Sequence, residues 1–334
     1  MSRQNGVWPN TNQPGRCVNA AGRADEVAVL NELSDAIGAP VRQEVPLAEH
    51  TTIRIGGPAR YLCVARTTEQ LGRAMKAASD LGLGLQVLGG GSNVLFSDSG
   101  FDGLVLVVGP GRVELDGVRM WAEAGAPYAD LVRLAARKGL AGLSFAAGIP
   151  GTVGGALWGN AGAYGKAIGD LLVGAVVVGA DGRRRQVTRD ELRLGYRTSA
   201  LAETGEVVES VTLELEPGEP QAIWAEVEGN LRRRRERLPG PELPSAGSFF
   251  KNLPPPAPGE SRVPAGKLLD ECGCKGLRVG DAMVYERHAN VIVNVGRATA
   301  AQVLQLAREM RRRVRERFGV ALEPEVRILP AWQA

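Results

Sequence analysis

Apolar residues recur at helical spacing near both ends of the chain, while between them short apolar stretches alternate with polar residues and are punctuated by glycine. The spacing from Val27 to Ile37 predicts a helix, and Ala59–Ala65 (ARYLCVA) reads as a strand. Thr68 is the expected N-cap of the next helix: Glu69 and Gln70 fall in its first turn, and Leu71, Ala74, Ala78 and Leu81 share one face over about 14 residues. Leu85–Leu88 and Leu104–Val108 are further strands, closing a compact α/β unit. From Gly111 to about Pro217 the clearer strands are Val118–Ala124, Gly174–Gly179 and Val207–Leu215, with a helix Ala129–Lys138 among them. A basic helix from about Gln221 to Arg237 follows. Leu253–Pro264 (LPPPAPGESRVP) is expected to be an irregular surface insertion, because its prolines lack N–H donors. The last helix, Ala300–Phe318, carries Val303, Leu306, Ala307, Met310, Val314 and Phe318 on one face and its arginines on the other. No internal repeat is visible. The pattern predicts an α+β chain of four segments: a polar tail over 1–26, expected to be mobile, then 27–110, 111–217 and 218–334.

Composition narrows the class. A chain of 334 residues exceeds what one core usually serves, so two or three domains with a cleft are expected. No stretch approaches the roughly 18 apolar residues of a membrane span, and the N-terminal 26 residues lack the apolar core of a signal peptide. Forty basic against 37 acidic residues leave a formal charge of +3, which gives little reason to expect bulk nucleic-acid binding. Cys17, Cys63, Cys272 and Cys274 have no disulfide-framework spacing, and only His50 and His288 could join them around a metal. Reduced thiols, a cytoplasmic setting and no metal are therefore expected. Cys272 and Cys274 are separated by one residue where a redox motif has two, so burial as small apolar side chains is the expectation.

Two glycine-rich segments carry candidate chemistry. Gly89-Gly90-Gly91-Ser92-Asn93 follows a strand, and its backbone N–H groups could form a nest around a pyrophosphate; taken alone it reads first as a tight turn. Gly148-Ile149-Pro150-Gly151-Thr152-Val153-Gly154-Gly155-Ala156, with Asn160-Ala161-Gly162-Ala163-Tyr164-Gly165, puts seven glycines into 18 residues with few charges. Backbone so bare suits a bulky planar ring read by main-chain groups, as an isoalloxazine would be. Neither segment fits the Rossmann or P-loop spacing.

Together with Thr52-Ile53-Arg54-Ile55-Gly56-Gly57-Pro58, Tyr196-Arg197-Thr198-Ser199, Ser245-Ala246-Gly247-Ser248-Phe249-Phe250-Lys251-Asn252, Ala265-Gly266-Lys267-Leu268 and Glu323-Pro324-Glu325-Val326-Arg327, these segments occur in the order found in one family. Over about residues 42–329 the chain resembles the UDP-N-acetylenolpyruvoylglucosamine reductases. The resemblance implies a two-part FAD-binding lobe of the vanillyl-alcohol oxidase type over 27–110 and 111–217, followed by an α/β substrate lobe over 218–334. It implies noncovalent FAD, NADPH as hydride donor, a UDP-sugar substrate, a role in peptidoglycan precursor synthesis, and a monomer.

Carried over by position, Arg54, Ile55, Gly89, Gly90, Gly91, Ser92, Asn93, Ile149, Pro150, Gly151, Gly154, Gly155, Ala156 and Gly162 would hold the flavin. Tyr164, Arg235, Lys251, Asn252 and Lys267 match positions near the sugar nucleotide, and Arg197, Ser248 and Glu325 match the catalytic ones. The short interval between Arg197 and Ser248 resembles the subclass that lacks an extra tyrosine-bearing loop.

The implied reaction has needs that these side chains meet. Hydride addition to an enolpyruvyl methylene leaves negative charge on the carbon bearing the ether oxygen and in the adjacent carboxylate; Arg197 offers a planar cationic fork to that charge. Ser248 would then donate a proton, helped by a cationic neighbour for which Lys251 and Lys267 are candidates. Glu325 could polarise the same group if protonated or orient its partners if ionised, and the sequence leaves both open. Taken singly, Arg197 reads as a surface ion pair, Ser248 as a turn residue and Glu325 as a loop charge; only the ordered resemblance lifts them. Arg232-Arg233-Arg234-Arg235 reads as a solvated helix face from which one arginine turns inward, Phe249 and Phe250 as core, and His288 as locally bonded. A flavin oxidase on the same lobe is the rival reading, although such enzymes often tether flavin through a histidine, and none lies between Gly89 and Asn93. An RNA-binding protein using the arginine-rich helix is a second rival, and near-neutral net charge weakens it.

Overall fold

Thr67, rather than Thr68, caps the first strongly patterned helix: its backbone is extended (φ −133, ψ 160) and its Oγ1 accepts the Gln70 amide at 3.2 Å. An N-cap hydroxyl reaches the amide two or three residues on, so the free Gln70 N–H selects the earlier of two adjacent threonines and the helix runs Thr68–Asp80. The computed structural model describes residues 20–330, and most of the expected N-terminal tail lies outside them. The first helix begins at Ala20, earlier than the periodicity indicates, and ends at Ile37.

The described chain forms two units, each drawn from separate stretches of sequence: 20–45, 59–90 and 102–231 in the first, 46–58, 91–101 and 232–330 in the second. In the first unit, one sheet has the order Val41–Pro46, Pro58–Ala65, Phe101–Val108, Leu85–Leu88, the last two strands being parallel. Tyr61, Cys63, Leu104 and Leu106 of this sheet pack with Leu71, Ala74, Met75 and Ala78 of the Thr68–Asp80 helix and with Leu33 and Ile37 of the first helix. A second, antiparallel sheet of five strands has Leu172–Val178, Val207–Glu214 and Arg119–Glu123 at its centre, each within two residues of expectation. Leu131, Val132, Ala135 and Ala136 of the helix Tyr128–Arg137 belong to its core, on one face at helical spacing. Inside the second glycine cluster lie two elements that the pattern did not show, a short helix Val153–Trp158 and a hairpin of Gly162–Ala163 with Lys166–Ala167.

The second unit is built on an antiparallel sheet of order Ser245–Ser248, Val291–Asn294, Ala282–Val284, Arg278–Val279. The helix Ala300–Phe318 buries Val303, Leu306, Ala307, Met310 and Val314 in the same core, starting at a Thr299/Gln302 capping box and ending at Gly319 (φ 70). Two excursions from earlier in the chain complete this unit. Asp98 accepts the Ala300 and Ala301 amides at 2.7 and 2.9 Å, supplying both orphan donors with a carboxylate at the helix N-terminus. The strand Val94–Phe96 pairs in parallel with Arg327–Leu329. The Pro-rich insertion carries turns and one isolated bridge; its base is closed where the Leu253 amide donates to the Val263 carbonyl at 3.0 Å.

Candidate active site

The two glycine loops meet inside the first unit. A Cβ on Gly89 would lie 2.4 Å from Thr152 Oγ1, and one on Gly90 would lie 2.9 Å from the Gly151 Cα. These glycines are therefore required by the contact of loop on loop, a use that sequence alone does not separate from ligand binding. Gly155 differs: it is exposed, and a Cβ there would meet only Thr152 Oγ1 at 3.6 Å. Around it the Thr152 hydroxyl accepts the Gly155 amide at 3.4 Å, Ala156 is buried, and Ile149 packs on the core. Gly155 thus presents bare backbone to open space beside the buried Ala156, the kind of side-chain-free surface that a flat ring or a pyrophosphate needs.

Tyr164 and Gly165 are the loop of a two-residue hairpin, since Ala163 pairs with Lys166. Both have positive φ (55 and 80), the type I′ geometry that suits strand twist and that presents Tyr164 at 52% exposure. The catalytic candidate Arg197 is bound to the foot of this hairpin: its Nη2 donates to the Gly162 carbonyl at 2.8 Å, and its guanidinium lies 5.2 Å from the Tyr196 ring centroid. Arg197 sits in a turn closed by Gly195 and Thr198, whose amides and carbonyls face each other at 3.0 and 3.4 Å. Its own φ is 57, a left-handed conformation that costs a non-glycine residue about 1–3 kcal/mol and so has to be held by its surroundings. Ser199 Oγ donates to the Trp158 carbonyl at 2.6 Å and Asn160 Nδ2 to the Gly195 carbonyl at 2.9 Å, tying the turn to the end of the glycine cluster.

In the second unit Ser248 ends the strand Ser245–Ser248, opposite Val291. The register slips between Ser245 and Ser248, and Gly247 has φ 76 within that bulge, which re-aims the half-buried Ser248. Past the serine, Phe249 and Phe250 turn into the core at 1% and 0% exposure, their rings edge to face with centroids 5.1 Å apart. The segment then pairs with the C-terminal motif: the Glu325 amide donates to the Phe249 carbonyl at 2.8 Å and the Lys251 amide to the Glu323 carbonyl at 2.9 Å. Ser248 and Glu325 are thus brought onto adjoining backbone. Asn290, 2% exposed, accepts the Phe250 amide at 2.9 Å and donates to the Phe250 carbonyl at 2.8 Å, acting as a substitute strand. Asn93 Nδ2 donates to the Glu325 carbonyl at 3.1 Å and the Arg327 amide to the Asn93 carbonyl at 3.0 Å. Asn93, expected at the flavin, thus also braces the Glu325 segment.

The remaining expected residues are dispersed within their units. Lys251 Nζ is 3.7 Å from a Glu323 carboxylate oxygen, and Lys267 is exposed on the helix Ala265–Glu271. Asn252 faces its own loop, Oδ1 accepting the Ala265 amide at 3.1 Å. In the basic helix Arg235 is exposed while Arg234 is half-buried. Arg54 (φ 56) and buried Ile55 line an open cavity of about 530 Å³ in the second unit, with Gly56, Gly57 and residues 294–298. Thr52 Oγ1 donates to the Ser245 carbonyl at 2.7 Å and Asn294 Nδ2 to the Ile53 carbonyl at 3.2 Å, so the Thr52–Pro58 motif and the serine strand are joined. Burial depresses the His288 pKa, and its Nδ1 accepts the Asn290 amide at 3.2 Å. Burial also raises the Cys63 and Cys274 thiols to about 11. Among the described residues no group of His, Cys, Asp or Glu could hold a metal ion, and no helix is long and apolar enough to cross a membrane.

Three comparisons with known proteins converge on these segments. Residues 240–329 match the C-terminal domain of UDP-N-acetylenolpyruvoylglucosamine reductase, and residues 59–188 match a FAD binding domain. The UDP-N-acetylenolpyruvoylglucosamine reductase of Moorella thermoacetica is 45% identical over 305 residues, 91% of this chain and 98% of that protein. Reductase 2 of Symbiobacterium thermophilum is 42% identical over 290 residues, 86% of this chain and 92% of that protein. Among solved structures, the UDP-N-acetylenolpyruvylglucosamine reductase of Thermus caldophilus is similar with a TM-score of 0.73 at 38% identity, covering 87% of this chain and 100% of that one. With the FAD-binding segment, the serine strand and the C-terminal glutamate segment all matched in one order, this chain belongs to the UDP-N-acetylenolpyruvoylglucosamine reductase family.

Proposed function

We propose that this chain reduces UDP-N-acetylenolpyruvoylglucosamine to UDP-N-acetylmuramate, with FAD bound noncovalently and NADPH as the reductant. The observation that carries the reading is the bond from the Glu325 amide to the Phe249 carbonyl, which sets a hydroxyl and a carboxyl on adjoining backbone in a chain of this family. Held against the bare backbone around Gly155, FAD would supply the hydride chemistry that links NADPH to the enolpyruvyl methylene.

The chain's own residues handle charge and proton. The electron pair displaced from the double bond settles on the carbon bearing the ether oxygen and in the adjacent carboxylate, where the Arg197 guanidinium stabilises it. That guanidinium is already held by the Gly162 carbonyl, which lowers the reorganisation required at the moment of reaction. Ser248 Oγ donates the proton to the same carbon and recovers one from solvent, leaving a saturated lactyl ether. Glu325 orients or polarises the carboxylate end. Tyr164 and Arg235 contact the sugar nucleotide, with Lys251, Asn252 and Lys267 near the serine segment. The bare backbone around Gly155 admits the flavin. A nucleotide-linked precursor and NADPH favour a cytoplasmic setting, and a monomer is what the family resemblance implies. The purified protein is expected to be yellow, to release FAD on acid treatment, and to oxidise NADPH rapidly only when the enolpyruvyl sugar is present. A colourless preparation that takes up no FAD would overturn the proposal.

A further inference from the structure

Two segments of the first unit converge on the Asn160 side chain. Its Nδ2 donates to the carbonyl of Gly195, the residue that opens the Arg197 turn, at 2.9 Å, and its Oδ1 accepts the Gly169 amide at 3.0 Å. Gly169 lies just past the hairpin Gly162–Ala163/Lys166–Ala167, so one amide side chain clamps the turn of Arg197 to the return of the Tyr164 hairpin. Asn160 itself has φ 42, a left-handed backbone that asparagine tolerates better than other side-chain-bearing residues. The clamp acts where support is needed. Arg197 is also left-handed (φ 57) in a turn of only two backbone bonds, and its guanidinium bonds to Gly162, two residues beyond Asn160. Packing does not explain the amide: an apolar side chain of the same size would leave both the Gly195 carbonyl and the Gly169 amide without these bonds.

We propose that Asn160 is the positioning residue of Arg197: its carboxamide fixes the Gly195–Thr198 turn so that the guanidinium meets the developing negative charge in register. The inference rests on the reading of Arg197 as the group that stabilises that charge. Asn160 touches neither reactant in this account; it acts through the turn.

Asn160→Asp tests it selectively. The carboxylate still accepts from the Gly169 amide but turns an oxygen toward the Gly195 carbonyl in place of a donor. In the holoenzyme, flavin reoxidation by the enolpyruvyl sugar should slow by about 10²-fold, the scale of a misplaced catalytic group, with far less change in flavin reduction by NADPH. Asn160→Gly keeps the left-handed backbone while removing both bonds, and should behave alike. In both variants the Gly195 and Thr198 amides should exchange hydrogen faster than in the parent, a readout independent of turnover. Placed on Arg197→Ala, Asn160→Asp should add little further loss, because the group it positions is gone. Full multiplication of the two effects, loss of bound flavin, or unchanged exchange at Gly195 and Thr198 would overturn the assignment. Should Arg197→Ala reoxidise flavin at the parent rate, the reading of Arg197 falls, and this inference with it.

Discussion

The amide of Glu325 and the carbonyl of Phe249 are bonded at 2.8 Å, and this contact joins residues that the chain separates by most of the second unit. Because Ser248 precedes Phe249, the bond sets the spacing between the proposed proton donor and its acidic neighbour. If Ser248 acts only after hydride has moved, Ser248→Ala should leave flavin reduction by NADPH nearly intact and slow flavin reoxidation by about 10²–10⁴-fold, the usual worth of a positioned acid. Stopped-flow absorbance of the two half-reactions decides this. Equal loss in both would remove the serine from the second step.

Gly155 offers a test in which stability and affinity move in opposite directions. It lies in the helix Val153–Trp158 with room for a Cβ, so Gly155→Ala should stabilise the apoprotein by about 0.5–1 kcal/mol through reduced chain entropy. The added methyl would stand in the proposed flavin cradle, and FAD affinity should fall. Thermal melting of apoprotein and fluorescence titration with FAD read the two effects separately. Tighter FAD binding would place the cradle elsewhere.

Asn290 satisfies both polar backbone groups of Phe250 while itself being buried. In Asn290→Ala those groups would lie unsatisfied next to a tight aromatic pair, at about 1–3 kcal/mol for each. Urea unfolding should show a loss of about 2–6 kcal/mol by the same measure. A loss below 1 kcal/mol would mean that water or a local shift replaces the side chain.

Glu309 is held by Arg312 and Arg313, whose hydrogen bonds pull its pKa from 4.5 down to about 2. A carboxylate with a lower pKa in the folded state than in the unfolded one contributes stability above pH 4.5 and loses it as pH falls toward 2. Glu309→Gln should therefore lower the melting temperature slightly at pH 7, since solvent still reaches and screens the half-buried group, and the difference should close between pH 4.5 and 2. A difference that persists unchanged at pH 2 would assign the effect to packing.

Local order was written in local spacing. Leu85–Leu88 and Ala300–Phe318 run over the residues their periodicity predicts, because a strand or an amphipathic helix is specified by side chains that are neighbours in sequence. The family was likewise readable, since its motifs are short stretches in a fixed order. Thr67 against Thr68 shows where this ends: two adjacent hydroxyls have the same pattern, and only the backbone angles choose between them.

Tertiary structure alone decided how the pieces act on one another. No spacing says that 46–58 and 91–101 complete the C-terminal unit, because the reasons are bonds such as Asp98 to the amides of Ala300 and Ala301 and Asn93 to Glu325, the latter spanning 232 residues. Nor could sequence separate Gly89 and Gly90, crowded by the Thr152 side chain and the Gly151 backbone, from Gly155, which is bare on its open side. Glycine, asparagine and arginine carry no label for what faces them. Their roles are set by partners that arrive only when distant backbone is brought within hydrogen-bond reach.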